Sequence, residues 1–116
     1  MMPRVADPEH VPDQALGPIA TEIVYEDEHV RIWTHHLGPG EAGPLHRHEH
    51  DYVIVDVDGD RIAAEPVAGT GGDYDEYVEA PVKRGKSYFL RAGGVERAIN
   101  VGQSEYRTVI VELKQR

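Results

Sequence analysis

The chain has 116 residues, of which 40% are hydrophobic and 28% are charged, a composition typical of one globular domain and not of a membrane-spanning or disordered chain. Twelve Lys and Arg side chains against 21 Asp and Glu side chains give a formal net charge of −9, the wrong sign for a nucleic-acid partner or an anionic membrane surface. Cysteine is absent, so any bound metal must be held by nitrogen and oxygen atoms.

The first part of the chain carries four prolines and no sustained periodicity, which predicts an arm over residues 1–18. Residues 19–116 are predicted to form a single domain. The N-terminus lacks the apolar core of a signal peptide, and no run of about 18 apolar residues occurs anywhere. We therefore expect a cytoplasmic protein.

Two short strands are predicted next, over residues 22–26 and 30–37, with a polar turn between them. His35 and His36 are adjacent on the second strand, so at most one of them points inward. Because they stand beside Trp33, we expect these histidines to have a structural or interfacial role.

A loop rich in glycine and proline, residues 38–44, leads into three histidines at every second position, which are His46, His48 and His50. On an extended strand, side chains two residues apart point to the same face. Imidazoles that converge on one point bind a metal ion or transfer protons. This stretch is therefore the predicted functional site.

The remainder of the chain is typical of an all-β protein. Apolar residues nowhere keep a helical repeat, and turn signals recur at short intervals, which favours an antiparallel sandwich or barrel. The further predicted strands cover residues 52–57, 61–65, 87–90, 95–101 and 106–113, with a hairpin turn at 58–60.

This region also holds a polar loop and a pair of adjacent aromatic residues. The acidic, glycine-dense segment 69–75 is predicted to be a mobile loop at a rim, with its acids in solvent. Tyr88 and Phe89 are expected to be core aromatics, although alternation along a strand lets just one of them point inward.

Two blocks of the sequence resemble the paired motifs of the cupin superfamily. The first motif has a glycine, five residues, His-x-His, three or four residues, a glutamate, six residues and a glycine. Gly40, His46, His48 and Gly59 fall on this pattern, and Tyr52 occupies the glutamate position.

The second motif has a glycine, five residues, proline, one residue, glycine, two residues, histidine, three residues and asparagine. Gly85, Gly93 and Asn100 match it without a gap, whereas Arg91 replaces the proline and Glu96 replaces the histidine. The short sequences His-Arg-His-Glu-x-Asp-Tyr and Ser-Tyr-Phe resemble those of small bacterial single-domain cupins, some of which are named after β-alanine degradation. The resemblance implies a small antiparallel β-barrel, or jelly roll, that holds one metal ion in its mouth and forms a homodimer.

Carried over residue by residue, the resemblance implies that His46, His48 and Glu96 bind the ion. Two imidazoles and one carboxylate are the ligands of non-haem iron oxygenases and of some zinc hydrolases. Tyr52 is a poor ligand because its phenol has a pKa of about 10, so we assign it the catalytic role of donating or accepting a proton. His50 falls where cupins turn between strands, and we expect it at the rim.

One alternative register stays open. If the turn at 91–94 is one residue longer, Arg97 instead of Glu96 faces the pocket. A guanidinium there would suit a ligand that carries a carboxylate, and the site would then need no metal.

The first functional hypothesis is a metal-dependent enzyme that acts on a small organic molecule, of the dioxygenase, isomerase or decarboxylase type. The cofactor would be one divalent ion, with iron, manganese, nickel and zinc all open. The alternative, motivated by the departures at Tyr52 and Glu96, is a non-catalytic small-molecule binding or sensory protein with a degenerate or absent metal site.

Overall fold

In a computed structural model of the chain, which describes residues 16–114, nine antiparallel strands form two sheets that pack face to face. No helix occurs in this part of the chain, and so no helix there is long and apolar enough to cross a membrane. In chain order the strands are β1 (Glu22–Glu26), β2 (Val30–Leu37), β3 (His46–Arg47), β4 (Asp51–Asp58), β5 (Arg61–Pro66), β6 (Val78–Pro81), β7 (Ser87–Leu90), β8 (Val95–Asn100) and β9 (Tyr106–Leu113).

The five-stranded sheet has the order β1-β2-β9-β4-β7, and the four-stranded sheet has the order β3-β8-β5-β6. Strand β9 lies at the centre of the larger sheet, and alternate residues along it are buried. Two such half-apolar sheets bury their inner faces only by packing on each other. The predicted all-β jelly roll is therefore confirmed.

The carboxylate of Glu112 is fully buried at one end of β9. Its Oε1 atom accepts hydrogen bonds from Arg31 Nε, at 2.5 Å, and from Trp33 Nε1, at 2.7 Å. A buried carboxylate is stable only when it is paired in this way, so the bonds tie β2 and β9 together beside the core.

Two expectations from the sequence were wrong. Strand β6 was missed, because it is a four-residue edge strand that ends in Pro81 and has no apolar run. Phe89 is not a core residue: it is 57% exposed, whereas Tyr88 next to it turns inward. The alternation of the edge strand β7 decides which of the two aromatic rings is buried.

Most of the predicted N-terminal arm, residues 1–15, lies outside the described residues. Gly17 runs beside the chain that enters β3, where its N–H donates to the carbonyl oxygen of Leu45 at 2.7 Å. Ile19 and Ala20 are buried in the core. A boundary between arm and domain at residue 18 stays a prediction.

The segment 69–75 lies against the turn at 91–94, backbone on backbone. A Cβ atom at Gly72 would stand 3.1 Å from both N and Cα of Gly94, and the Asp73 carboxylate accepts a hydrogen bond from the N–H of Arg91 at 2.7 Å. These contacts bring Tyr74 against the core. The loop therefore contributes a side chain to the interior, which its polar sequence did not indicate.

A pair of glycine variants tests this backbone contact. Gly72 and Gly85 have nearly the same positive φ, +80° and +85°, but nothing lies within 4 Å of a Cβ built at Gly85. Both Gly72→Ala and Gly85→Ala are expected to lower the free energy of unfolding by about 1–2 kcal/mol, because alanine is strained in the left-handed conformation. Gly72→Ala is expected to lower it by about 1–3 kcal/mol more, because its methyl group would stand too close to the backbone of Gly94. Urea denaturation measures the difference, and equal losses would contradict the contact.

Candidate metal centre

Three ligand atoms converge at the end of β3 and β8. The distance from His46 Nε2 to His48 Nε2 is 3.1 Å, that from His48 Nε2 to Glu96 Oε2 is 3.2 Å, and that from His46 Nε2 to Glu96 Oε2 is 3.9 Å. Ligands about 2.1 Å from one ion lie about 3.0 Å apart in octahedral geometry and about 3.4 Å apart in tetrahedral geometry. His46, His48 and Glu96 can therefore hold one metal ion.

The pairing of β3 with β8 creates this triangle. His46 lies directly opposite Glu96 in the antiparallel register, and opposite residues project to the same face. The ladder continues past β3, since the N–H of His48 donates to Gly94 O at 3.0 Å and the N–H of Gly93 donates to His48 O at 2.7 Å. The second imidazole is thereby held beside the first.

His46 presents the nitrogen that a metal needs. Its Nδ1 is 3.0 Å from the carbonyl oxygen of Pro44, which only accepts, so Nδ1 carries the proton and Nε2 has a free lone pair. Burial, and then the neighbouring His48, lowers the pKa of His46 to about 4. The ring is therefore neutral near pH 7, the form that coordinates metals.

Glu96 is ionised in this site. Burial by itself raises the pKa of its carboxyl group, but the hydrogen bond with His48, the electrostatic interaction with both imidazole rings and the hydrogen bond with Tyr52 together place the pKa below its ordinary value. His48 has one nitrogen that is not satisfied, because its Nδ1 is buried without a hydrogen-bond partner among the described residues. The converging atoms fit a divalent ion, while the outer nitrogen of His48 lacks the acceptor that metal-binding histidines usually have.

Arg97, the alternative to Glu96, points away from the centre. Its side chain is exposed and its Nε donates to Glu65 Oε1 at 2.7 Å. The register with Arg97 in the pocket is therefore wrong, because neighbours on β8 alternate between the faces of the sheet. His50 is half-buried and lies outside the group of converging ligand atoms.

Tyr52 lies behind His48 rather than in front of it. The two rings stack with centroids 3.8 Å apart and an angle of 8° between their planes, and Tyr52 is 3% exposed. Burial, with the Glu96 carboxylate as the next cause, raises the pKa of this phenol far above its ordinary value. Tyr52 therefore keeps its proton and can share it with Glu96.

A cavity of about 90 Å³ extends from the three ligands into the barrel. Most of the residues that line it were not predicted as site residues, among them Tyr74 and His35. Tyr74 reaches it from the segment 69–75, and His35 reaches it from β2. The apolar walls between the polar side chains come from Ile54, Ile62, Ala64, Leu90, Ala98 and Ile110.

His35, for which the sequence predicts a structural or interfacial role, lines the cavity. It is 5% exposed and meets Tyr106 edge to face, with ring centroids 5.9 Å apart. Burial, and then His46 and His48, lowers the pKa of His35 to about 4. Its parity with Trp33 and Leu37, both buried, was the signal that could have placed it inside.

In the metal-free protein, the free energy of unfolding is expected to fall as the pH drops from about 6.5 to about 5. The pKa values of His35 and His46 are lowered to about 4 in the folded state, below the value of about 6.5 in an unfolded chain. The unfolded state therefore binds protons first, and stability present above pH 6.5 is lost on acidification, by about 1.5 kcal/mol for each histidine. Urea denaturation at several pH values measures the slope.

His35→Gln is expected to remove about half of that slope. His36→Gln is the matched control, because His36 lies on the exposed face of the same strand. If the slope is the same in the His35 variant as in the wild type, the conclusion that burial keeps His35 neutral is contradicted.

Comparisons with known proteins agree with this architecture. Over 78 aligned residues the chain is 33% identical to the β-alanine degradation protein BauB of Pseudomonas aeruginosa, covering 67% of this chain and 75% of that protein. A cupin domain from Bordetella pertussis Tohama I is 25% identical, with a TM-score of 0.68, over 85% of this chain and 100% of that one. An RmlC-like cupin from Methanocaldococcus jannaschii is 17% identical, with a TM-score of 0.63, over 79% and 76% of the two chains. No family model matches the chain. The sequence and fold relationships together show that the chain belongs to the cupin superfamily.

Proposed function

We propose that the protein binds one divalent metal ion through His46, His48 and Glu96 and acts as a metal-dependent enzyme on a small organic molecule. The observation that carries this proposal is the triangle of three ligand atoms at the end of a cavity. Three protein ligands leave positions on an ion for a substrate or water. Iron would favour dioxygenation, whereas manganese, nickel or zinc would favour isomerisation, decarboxylation or hydrolysis.

A small carboxylic acid is the substrate class that best suits such a centre. A divalent ion with one carboxylate ligand keeps a net positive charge of about one, which attracts an anion in a water-poor cavity. The name of the Pseudomonas relative refers to the degradation of β-alanine, which is such an acid. When bound, the ion would supply Lewis acidity or the activation of oxygen.

The proton of Tyr52 has a proposed role at Glu96. The ring stacks on His48, and its hydroxyl contributes to lowering the pKa of Glu96. Tyr52 would thus position two of the three ligands, by stacking on His48 and by donating a hydrogen bond to Glu96, while Tyr74 lines the cavity directly. Both phenols stay protonated near neutral pH, because burial raises the pKa of each.

In this proposal the protein works in the cytoplasm as a homodimer and binds neither nucleic acid nor a membrane. The net charge of −9 supports the last two points. A second copy could pair with β1, the edge strand of the larger sheet, whose Ile23, Val24 and Tyr25 are 43%, 53% and 51% exposed.

A second candidate function is non-catalytic binding or sensing of a small molecule. The unsatisfied Nδ1 of His48 favours it, because loss of such an outer partner usually weakens metal binding. The cavity would then still take a small ligand, with Glu96 and the histidines as hydrogen-bonding groups.

Metal titration separates the two candidates. The wild type is expected to hold one Fe²⁺, Mn²⁺, Ni²⁺ or Zn²⁺ ion per chain, as measured by elemental analysis, and its melting temperature should rise with that ion. His46→Ala combined with His48→Ala should abolish the rise, and Glu96→Ala should weaken binding by about 100-fold or more.

Arg97→Ala is the matched control for Glu96→Ala, since Arg97 is the next residue on β8 and points outward. It is expected to bind metal as the wild type does. Absence of stoichiometric metal, together with no thermal shift from any of the four ions, would contradict the enzyme proposal. Tight binding by Glu96→Ala would contradict the carboxylate ligand alone.

Tyr52→Phe tests whether the phenol is a ligand. The variant keeps the stack on His48 and loses just the hydroxyl, so it should bind one ion with an affinity within about tenfold of the wild type. Tyr52→Leu, which also removes the stack, should bind more weakly than Tyr52→Phe. If Tyr52→Phe binds no metal in the same titration, Tyr52 is a ligand and the prediction is contradicted.

A further inference from the structure

The cavity carries polar groups besides the three ligands that the proposed function does not use. His35 is 5% exposed and lines the cavity, yet no hydrogen bond reaches its ring nitrogens from the residues that the structure describes. A polar ring that borders a cavity can bond to water or to a ligand there, so His35 is a candidate contact for a bound molecule.

Asp56 is the second such group. It is 2% exposed, lines the cavity, and accepts hydrogen bonds at Oδ2 from Lys83 N, at 3.2 Å, and from the Tyr88 hydroxyl, at 3.4 Å. Within the described chain no lysine or arginine side chain forms an ion pair with it. Burial raises the pKa of Asp56, and Lys86, whose ammonium lies over the ring of Tyr88, acts on the carboxyl group only from a distance. A cationic ligand in the cavity would stabilise the carboxylate by a direct ion pair.

The two ends of the cavity are separated by an apolar middle. Tyr52, Ile54 and Asp56 project from the same face of β4, and the four residue steps from Tyr52 to Asp56 span about 13 Å. Ile54 lies between them and pairs with Ile110 on β9, which also lines the cavity. Tyr106 also lines the cavity: its ring meets that of His35 edge to face, and burial, with Asp56 among the further causes, raises the pKa of its hydroxyl group.

We propose that the polar group formed by His35, Asp56, Tyr88 and Tyr106 is a second recognition site that binds a cationic amine. The ligand is then a short acid with an ammonium group at its other end, an ω-amino acid. This inference rests on the proposed function for the acid end of the ligand, whereas the amine end depends on these four residues alone.

Ammonium satisfies the site better than other end groups do. It donates three hydrogen bonds, and Asp56, the tyrosine oxygens and one nitrogen of a neutral His35 all accept. A methyl group in the same place would leave the carboxylate and the imidazole unpaired, which is the basis on which polar sites reject apolar analogues. A ligand with a carboxylate at this end would be repelled by the negative charge of Asp56.

The test compares matched ligands on protein loaded with the ion that gives the largest thermal shift. Calorimetry measures 4-aminobutanoate against pentanoate and 6-aminohexanoate against heptanoate, pairs in which ammonium replaces methyl. The wild type is expected to prefer the amine by about tenfold or more in at least one pair. Asp56→Asn, which keeps an oxygen for Lys83 N, is expected to reduce that preference to about threefold or less while it still binds the alkanoate.

Asp58→Asn is the matched control, because Asp58 is an exposed acid on the same strand, and it should keep the wild-type preference. His35→Gln is the second variant and should also reduce the preference, so a failure of Asp56→Asn to fold does not end the test. Equal affinities within both wild-type pairs would overturn the second site and leave the metal proposal standing. An unchanged preference in both variants, or an equal loss in Asp58→Asn, would overturn it as well.

Butylammonium, which has no acid group, tests the second site by itself in metal-free protein. Saturable binding is expected by NMR titration of the wild type, and none is expected for Asp56→Asn. Absence of binding to the wild type would overturn the second site. Binding of butylammonium together with a failure to load metal would overturn the proposed function and support the second site.

Discussion

The pairing of β3 with β8 is the interaction on which the site depends. Its register places His46 opposite Glu96, so two residues far apart in the chain become neighbours on one face. The hydrogen bonds between His48 and the glycine pair Gly93–Gly94 extend the ladder and bring in the second imidazole. A shift by one residue would turn Glu96 outward and Arg97 inward, because a strand alternates its side chains between two faces. Backbone pairing thus selects the chemistry of the centre.

Burial gives these side chains their properties. Removing His46 from water keeps it neutral, and the bond from its Nδ1 to Pro44 directs the free lone pair at the other two ligand atoms. The carboxylate of Glu96 resists the same burial because two imidazoles surround it. Bringing two imidazole nitrogens and a carboxylate oxygen so close in a water-poor site is favourable when a cation lies among them.

The interior of the barrel adds a second layer of specificity. Tyr74 enters it because Gly72 packs directly on Gly94, a contact that no residue with a Cβ could make without a shift. His35 and Asp56 enter it from opposite sides of β9, on β2 and β4. The apolar stretch between the metal ligands and Asp56 gives the cavity two polar ends, which restricts the shape of ligand that it can satisfy.

The sequence by itself determined the β-class, most strand positions and the alternation that puts His46 and His48 on one face, because these depend on local alternation and turn residues, and the resemblance to cupins added Glu96 as a candidate ligand. It could not choose between Glu96 and Arg97, find β6, or reveal that Tyr74 and His35 face one cavity. Each of those outcomes depends on which strands pair and in what register, and on which face of a strand meets the second sheet. Local sequence does not encode such choices, since contacts between distant residues make them, and so only the tertiary structure decided them.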